Sequence, residues 1–220
     1  MMLCKRVFAA VVTLLCVCVT ACAPSTDAQR QPGQYRVGSS AQADANDNRL
    51  AELRDLKADV TTEIDSHGRQ VLSIDLTLVG DVTPALRIAA TLPSVDRLNL
   101  MDAELHSEDI ELLRHLSGLR WLDLSNSTVT DADLSFLEST PRLEFLLLWG
   151  TGITDASLPR VSHLARLQKL DLSATKITSD GLKHLATLRD LMELYIEVPG
   201  IGAQELKQLQ AQLPNTLIVD

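Results

Sequence analysis

The chain has 220 residues, is 45% hydrophobic but only 3% aromatic, and carries a formal net charge of −9. That length fits one domain of ordinary size with extensions, and leucine and alanine must fill its core. No basic stripe interrupts the acidic balance, which argues against nucleic acid as a partner and against a folded surface that grips anionic lipid.

Residues 1–21 read as an export signal. Lys5 and Arg6 precede an apolar run of 13 residues, 7–19 (VFAAVVTLLCVCV), shorter than the roughly 20 that a spanning helix needs. Val19-Thr20-Ala21-Cys22 then resembles the lipobox of bacterial lipoproteins. The resemblance implies cleavage before Cys22, a lipid on that cysteine, and an extracytoplasmic domain tied to the membrane by the lipid alone. Ala23 follows, which implies the outer membrane if the source is Gram-negative. Removal of Cys4, Cys16 and Cys18 with the signal leaves no free thiol, and so no disulfide, zinc–thiolate site or cysteine nucleophile. Loss of Lys5 and Arg6 from the 20 basic residues leaves 18 against 29 acidic ones, a net charge of −11.

Residues 22–47 comprise the lipidated cysteine and a polar stretch rich in Ala, Ser, Gln, Gly, Pro and Asp, which reads as a flexible tether. Its typical span is about 25–30 Å. Asp44, Asn46 and Asn48 begin like a calcium loop, but Arg49 stands where such a loop needs glycine and Asp55 where it needs a bidentate glutamate. These residues fit better as the cap of a helix over 49–57. Two β-like runs, 58–65 and 69–77, flank Ser66-His67-Gly68 and predict a hairpin. Residues 48–70 are therefore expected to close the N-terminal end of the core, where an open edge would invite foreign strands.

From residue 71 a motif recurs every 24 residues: VLSIDLTL at 71–78, VDRLNLMD at 95–102, LRWLDLSN at 119–126, LEFLLLWG at 143–150, LQKLDLSA at 167–174 and LMELYIEV at 191–198. Ile74, Leu98, Leu122, Leu146, Leu170 and Leu194 form one column, and Leu76, Leu100, Leu124, Leu148, Leu172 and Ile196 another. A fixed period of this length is the signature of a solenoid. The copies resemble leucine-rich repeats, L-x-x-L-x-L-x-x-N/C-x-L, over roughly 71–214. Ser127, Thr151 and Thr175 occupy the Asn/Cys position, a variant similar to the bacterial T-x-I-T-D type, as in Thr151 to Asp155. The first and last copies depart from the pattern at Asp81 and Pro199, as terminal repeats do.

The resemblance implies an α/β fold: a right-handed solenoid of about six repeats, with a parallel sheet on the concave face and helices on the convex face. Thr130-Asp131, Thr154-Asp155 and Ser179-Asp180 are expected to cap those helices, and 215–220 to form a closing strand. Ile88, Leu112 and Phe136 recur on successive helices and are expected to pack between them.

Residues between the leucines of each strand face the concave side. Three rows result: Ser73, Arg97, Trp121, Phe145, Lys169, Glu193; Asp75, Asn99, Asp123, Leu147, Asp171, Tyr195; and Thr77, Met101, Ser125, Trp149, Ser173, Glu197. Trp121, Phe145, Trp149 and Tyr195 are four of the six aromatic residues beyond the signal. With Leu147 they predict a contiguous apolar patch of the kind that marks an interaction site. A protein partner is the leading expectation. A cell-envelope glycan stacked on the aromatics and bonded by Asp123, Asp171 or Asn99 is the alternative, but a broad apolar patch suits protein better. Asp123 and Asp171 lie two strands apart, about 10 Å, with Leu147 between them, and the five histidines are scattered. No catalytic constellation, metal site or cofactor is expected.

Overall fold

The computed structural model describes residues 40–220. The export signal, Cys22 and most of the tether lie outside the described residues.

The first helix, Ser40–Asp55, starts nine residues earlier than the expected 49–57, so the end of the stretch read as tether is helical. A polar composition limits burial, but Ala41, Ala43 and Ala45 favour helix through intrinsic propensity. The helix docks through Leu53, which is fully buried, and Leu50 packs against the same core. Lys57 then takes a left-handed conformation (φ 68°) and turns the chain into the sheet.

The sheet has eight strands in sequential order: β1 (Asp59–Ile64), β2 (Gln70–Asp75), β3 (Arg97–Asn99), β4 (Trp121–Asp123), β5 (Phe145–Leu147), β6 (Lys169–Asp171), β7 (Glu193–Tyr195) and β8 (Leu217–Val219). β1 and β2 form the expected antiparallel hairpin. Its turn is held by Asp65, whose carboxylate accepts the amides of His67 and Arg69 and the Arg69 guanidinium, while Gly68 supplies a φ of +75°. From β2 onward all pairing is parallel and advances 24 residues at a time, so Leu98 lies beside Leu122, Leu146 and Leu170.

Both leucine columns are buried, at 1% exposure or less. They pack against the crossover segments through Leu86, Leu113, Leu134, Leu158 and Leu185. Those segments change type along the chain. Alpha helices at Thr83–Ala89 and Ser107–Leu113 are followed by 3-10 turns at Asp133–Ser139, Asp155–Ser157 (continued by an α-helical turn at Leu158–Val161) and Leu182–Thr187, with a longer helix at Ala203–Gln212. Phe136 is fully buried, and Ile88 and Leu112 pack on the core, so that apolar series is structural.

Strands of three residues hold together because the ladder continues past them. The amides of Leu100, Leu124, Leu148 and Leu172 reach the carbonyls of Asp123, Leu147, Asp171 and Tyr195. Two residues on, Asp102, Asn126, Gly150 and Ala174 donate to Ser125, Trp149, Ser173 and Glu197, which leaves few backbone groups unpaired. These four residues share a left-handed conformation, with φ of 62°, 56°, 70° and 56°. Only one is glycine, the residue that adopts it without strain.

The hydroxyl column acts just below this turn. Thr151 and Thr175 donate to the carbonyls of Leu148 and Leu172, at 2.8 and 2.6 Å, whereas the buried Ser127 hydroxyl has no partner. The acids expected to serve their own helix starts bind across copies instead. Asp131 accepts the amide and hydroxyl of Thr154, and Asp155 does the same for Thr178. Thr178, rather than Ser179, therefore occupies the equivalent place in the last of these turns. Thr130 bonds Asp133 within its own turn.

Candidate functional site

The parallel register places the three rows side by side on one face. Trp121 of β4 pairs with Phe145 of β5, and Asp123 with Leu147. Neighbouring strands lie about 4.8 Å apart, so these side chains are immediate neighbours. Trp121, Phe145 and Leu147 are half-buried, and Trp149, just past the end of β5, is 40% exposed. The alternation of strand side chains sends Leu122, Leu146 and Leu148 inward and leaves the aromatics outside.

The acidic members of the second row behave differently. Asp75, Asn99, Asp123 and Asp171 each accept the amide two residues ahead, on Thr77, Met101, Ser125 and Ser173, at 2.8 to 3.0 Å. This local turn is typical of Asp and Asn, and it bends the chain out of each strand. Asn99 also donates to Asp75 at 3.0 Å. Asp123 is only 2% exposed. Burial pushes its carboxyl above the usual carboxylate range, against the bonds from Ser125 and with the aid of Asp171 and Asp75. Asp171 is raised by burial too, opposed by Ser173 and Lys169.

Tyr195 stands two strands from Leu147, across Asp171. It belongs to a polar cluster instead: the Lys169 ammonium lies 4.5 Å from its ring centroid and 2.8 Å from Glu193, and its hydroxyl donates to Glu193. Burial alone would lower the pKa of Lys169, but Glu193 and then Tyr195 hold it above the ordinary value. The rows alone do not join these three residues, but the 24-residue spacing of Lys169 and Glu193 is the signal that brings their side chains together. The structure thus gathers Trp121, Phe145, Leu147 and Trp149, bounded by the exposed Arg97 on one side and the Lys169–Glu193–Tyr195 cluster on the other. Among the described residues no group of three or more His, Cys, Asp or Glu side chains is arranged to hold a metal ion.

No family model matches the chain, and no curated protein is found to be similar to it. Solved structures do resemble it. The leucine-rich-repeat ectodomain of the Arabidopsis receptor kinase HAESA, in complex with an extended IDA peptide hormone, is 19% identical, with a TM-score of 0.54 over 81% of this chain and 33% of that one. Internalin C2 of Listeria monocytogenes gives 22% identity and a TM-score of 0.46 over 60% of this chain and 54% of that chain. A leucine-rich-repeat protein of Leptospira interrogans gives 17% identity and 0.40, with 61% and 45% covered. The chain spans about a third to a half of these proteins. Its likeness to the HAESA ectodomain is one of fold: an α/β leucine-rich-repeat architecture.

Proposed function

We propose that the chain is a non-catalytic protein-binding module of a cell envelope, anchored outside the cytoplasm by a lipid on Cys22. In this reading six right-handed repeats over 71–214 form the arc, with 48–70 and 215–220 closing its two ends. The concave patch of Trp121, Phe145, Leu147 and Trp149 receives an extended segment of the partner.

The observation that carries this reading is the pairing of Trp121 with Phe145 beside Leu147, with Trp149 left 40% exposed. Large aromatic side chains on a rigid sheet lose little freedom on binding and make effective anchors. Arg97 and the Lys169–Glu193 pair supply a charged rim. The complex of the HAESA ectodomain with a peptide supports the idea that this fold can present such a surface, although fold by itself does not establish function. The glycan alternative is weakened because Asp123 and Asp171 each commit an oxygen to their own backbone.

Affinity capture from solubilised envelope with the wild type and with Trp121→Ala/Phe145→Ala/Trp149→Ala tests the proposal, with circular dichroism confirming that both are folded. A protein retained by the wild type and lost from the variant, and then bound directly when purified, is the expected result. Loss of a glycan instead would establish the alternative. Identical captures would overturn the role of the patch.

A further inference from the structure

A second site lies where the chain enters the strands. Arg69, Gln70, Ser94, Asp96, Gly118, Arg120, Arg142, Glu144 and Arg166 line a cleft of about 350 Å³, within the size range of small-ligand sites. Four arginines face two acids there, in a chain whose net charge is −9.

Both acids are already engaged. Glu144 takes three contacts of 2.6 to 2.8 Å from the Arg120 guanidinium, and Asp96, 8% exposed, accepts the Leu72 amide. Arg69 is held by Asp65. Arg142 and Arg166 remain: both are exposed, and neither has a hydrogen bond or ion pair. They hold the same place in consecutive copies, in a row that runs Gln70, Ser94, Gly118, Arg142, Arg166, Asp190. Two residues later Gln168 donates to the Glu144 carbonyl at 2.7 Å, so the two backbones already run at about strand spacing, about 4.8 Å. Asp190 sits next along the row but makes no ion pair with Arg166. Ser94 and Gly118 leave the floor on the other side low.

We infer that this cleft binds a phosphomonoester, with Arg142 and Arg166 as its principal ligands and the Arg120–Glu144 pair as a fixed wall. Both line the same cleft, and neither guanidinium is paired with a carboxylate. One small centre that carries close to two negative charges and three acceptor oxygens can pair with both. A single carboxylate supplies only half that charge. Arginine rather than lysine suits the role because its planar fork meets such oxygens in pairs. No aromatic residue lines the cleft, although Arg120 and Glu144 immediately precede Trp121 and Phe145.

The same chemistry comes from a soluble ester or from a lipid headgroup, and two probes separate them: glycerol 3-phosphate by calorimetric titration, and vesicles of phosphatidic acid against phosphatidylcholine by co-sedimentation, both at fixed ionic strength. The full chain, carrying Cys22→Ala throughout so that no lipid anchor contributes to sedimentation, binds at least one phosphomonoester probe, and Arg142→Gln/Arg166→Gln weakens that binding about tenfold or more, the effect of losing charge-assisted bonds. Lys207→Gln, a surface charge change on the Ala203–Gln212 helix, leaves it unaltered. Binding to glycerol 3-phosphate identifies a soluble ligand, and binding to phosphatidic acid vesicles alone identifies the headgroup. No saturable binding to either probe, or equal binding by the wild type and a double variant with unchanged circular dichroism, overturns the inference.

Discussion

The acidic row and the aromatic patch share one sheet face and recur at the same 24-residue period, yet they do opposite things. Asp75, Asn99, Asp123 and Asp171 fold back onto the amides two residues ahead and become part of the backbone turn. Trp121, Phe145 and Trp149 keep part of their rings at the surface. Position on this sheet face is therefore not sufficient to make a residue available to a partner. A polar side chain short enough to reach its own backbone is recruited into structure first.

Substitutions within single strands sharpen this contrast. Leu146→Ala removes a fully buried side chain and should lower unfolding free energy by about 2–5 kcal/mol in urea titrations. Leu147→Ala, one residue along on the patch, should cost under about 1 kcal/mol. An equal loss at both would mean that the patch is core.

Asp123→Ala deprives the Ser125 amide of its acceptor in a buried setting and should cost about 1–3 kcal/mol. Asp123→Asn keeps that acceptor, as Asn99 does in the preceding strand. Because the folded carboxyl titrates above the unfolded value of 3.8, the native state holds an extra proton between the two, and the stability this group contributes falls as pH rises through that window. Asp123→Asn should therefore gain on the wild type as pH rises above 3.8 and keep its advantage at pH 7. Urea midpoints measured at both ends of that range decide it, and a gain confined to acid would refute the burial argument.

The smallest effect is expected in the hydroxyl column. Thr151→Ala forfeits the bond to Leu148 and should cost about 1 kcal/mol. Ser127→Ala removes a buried hydroxyl that bonds nothing and should change stability by less than about 0.5 kcal/mol or raise it slightly. Thermal melts of the two variants side by side would show whether the columns are as unequal as the geometry indicates.

Much of the sheet was legible because leucine burial repeats: the pairing of Leu98, Leu122, Leu146 and Leu170, and the concave rows, follow from a 24-residue period alone. The β1–β2 hairpin announced itself through Ser66-His67-Gly68. The start of the first helix did not, since Ala41, Ala43 and Ala45 carry propensity but no amphipathic pattern. Nor did the partners of Asp131 and Asp155. A Thr-Asp pair reads as a helix start, and nothing local reveals that each acid reaches the threonine of the following copy. For the site, the aromatic cluster could be read from the rows. The burial of Asp123 and the attachment of Tyr195 to Lys169 depend on side-chain packing that periodicity does not encode.

The reach of the bonds between copies has a mechanical consequence. Asn99 to Asp75, Arg120 to Glu144, Asn126 to Asp102 and Lys169 to Glu193 each span 24 residues. Each such tie joins a turn only to its immediate neighbour. Among the described residues no long-range clasp must break first under a force applied at residues 40 and 220, so that part of the chain peels from an end, releasing about 80 Å of contour for each 24 residues. The molecule behaves less as a block that shatters than as a coil that unwinds turn by turn.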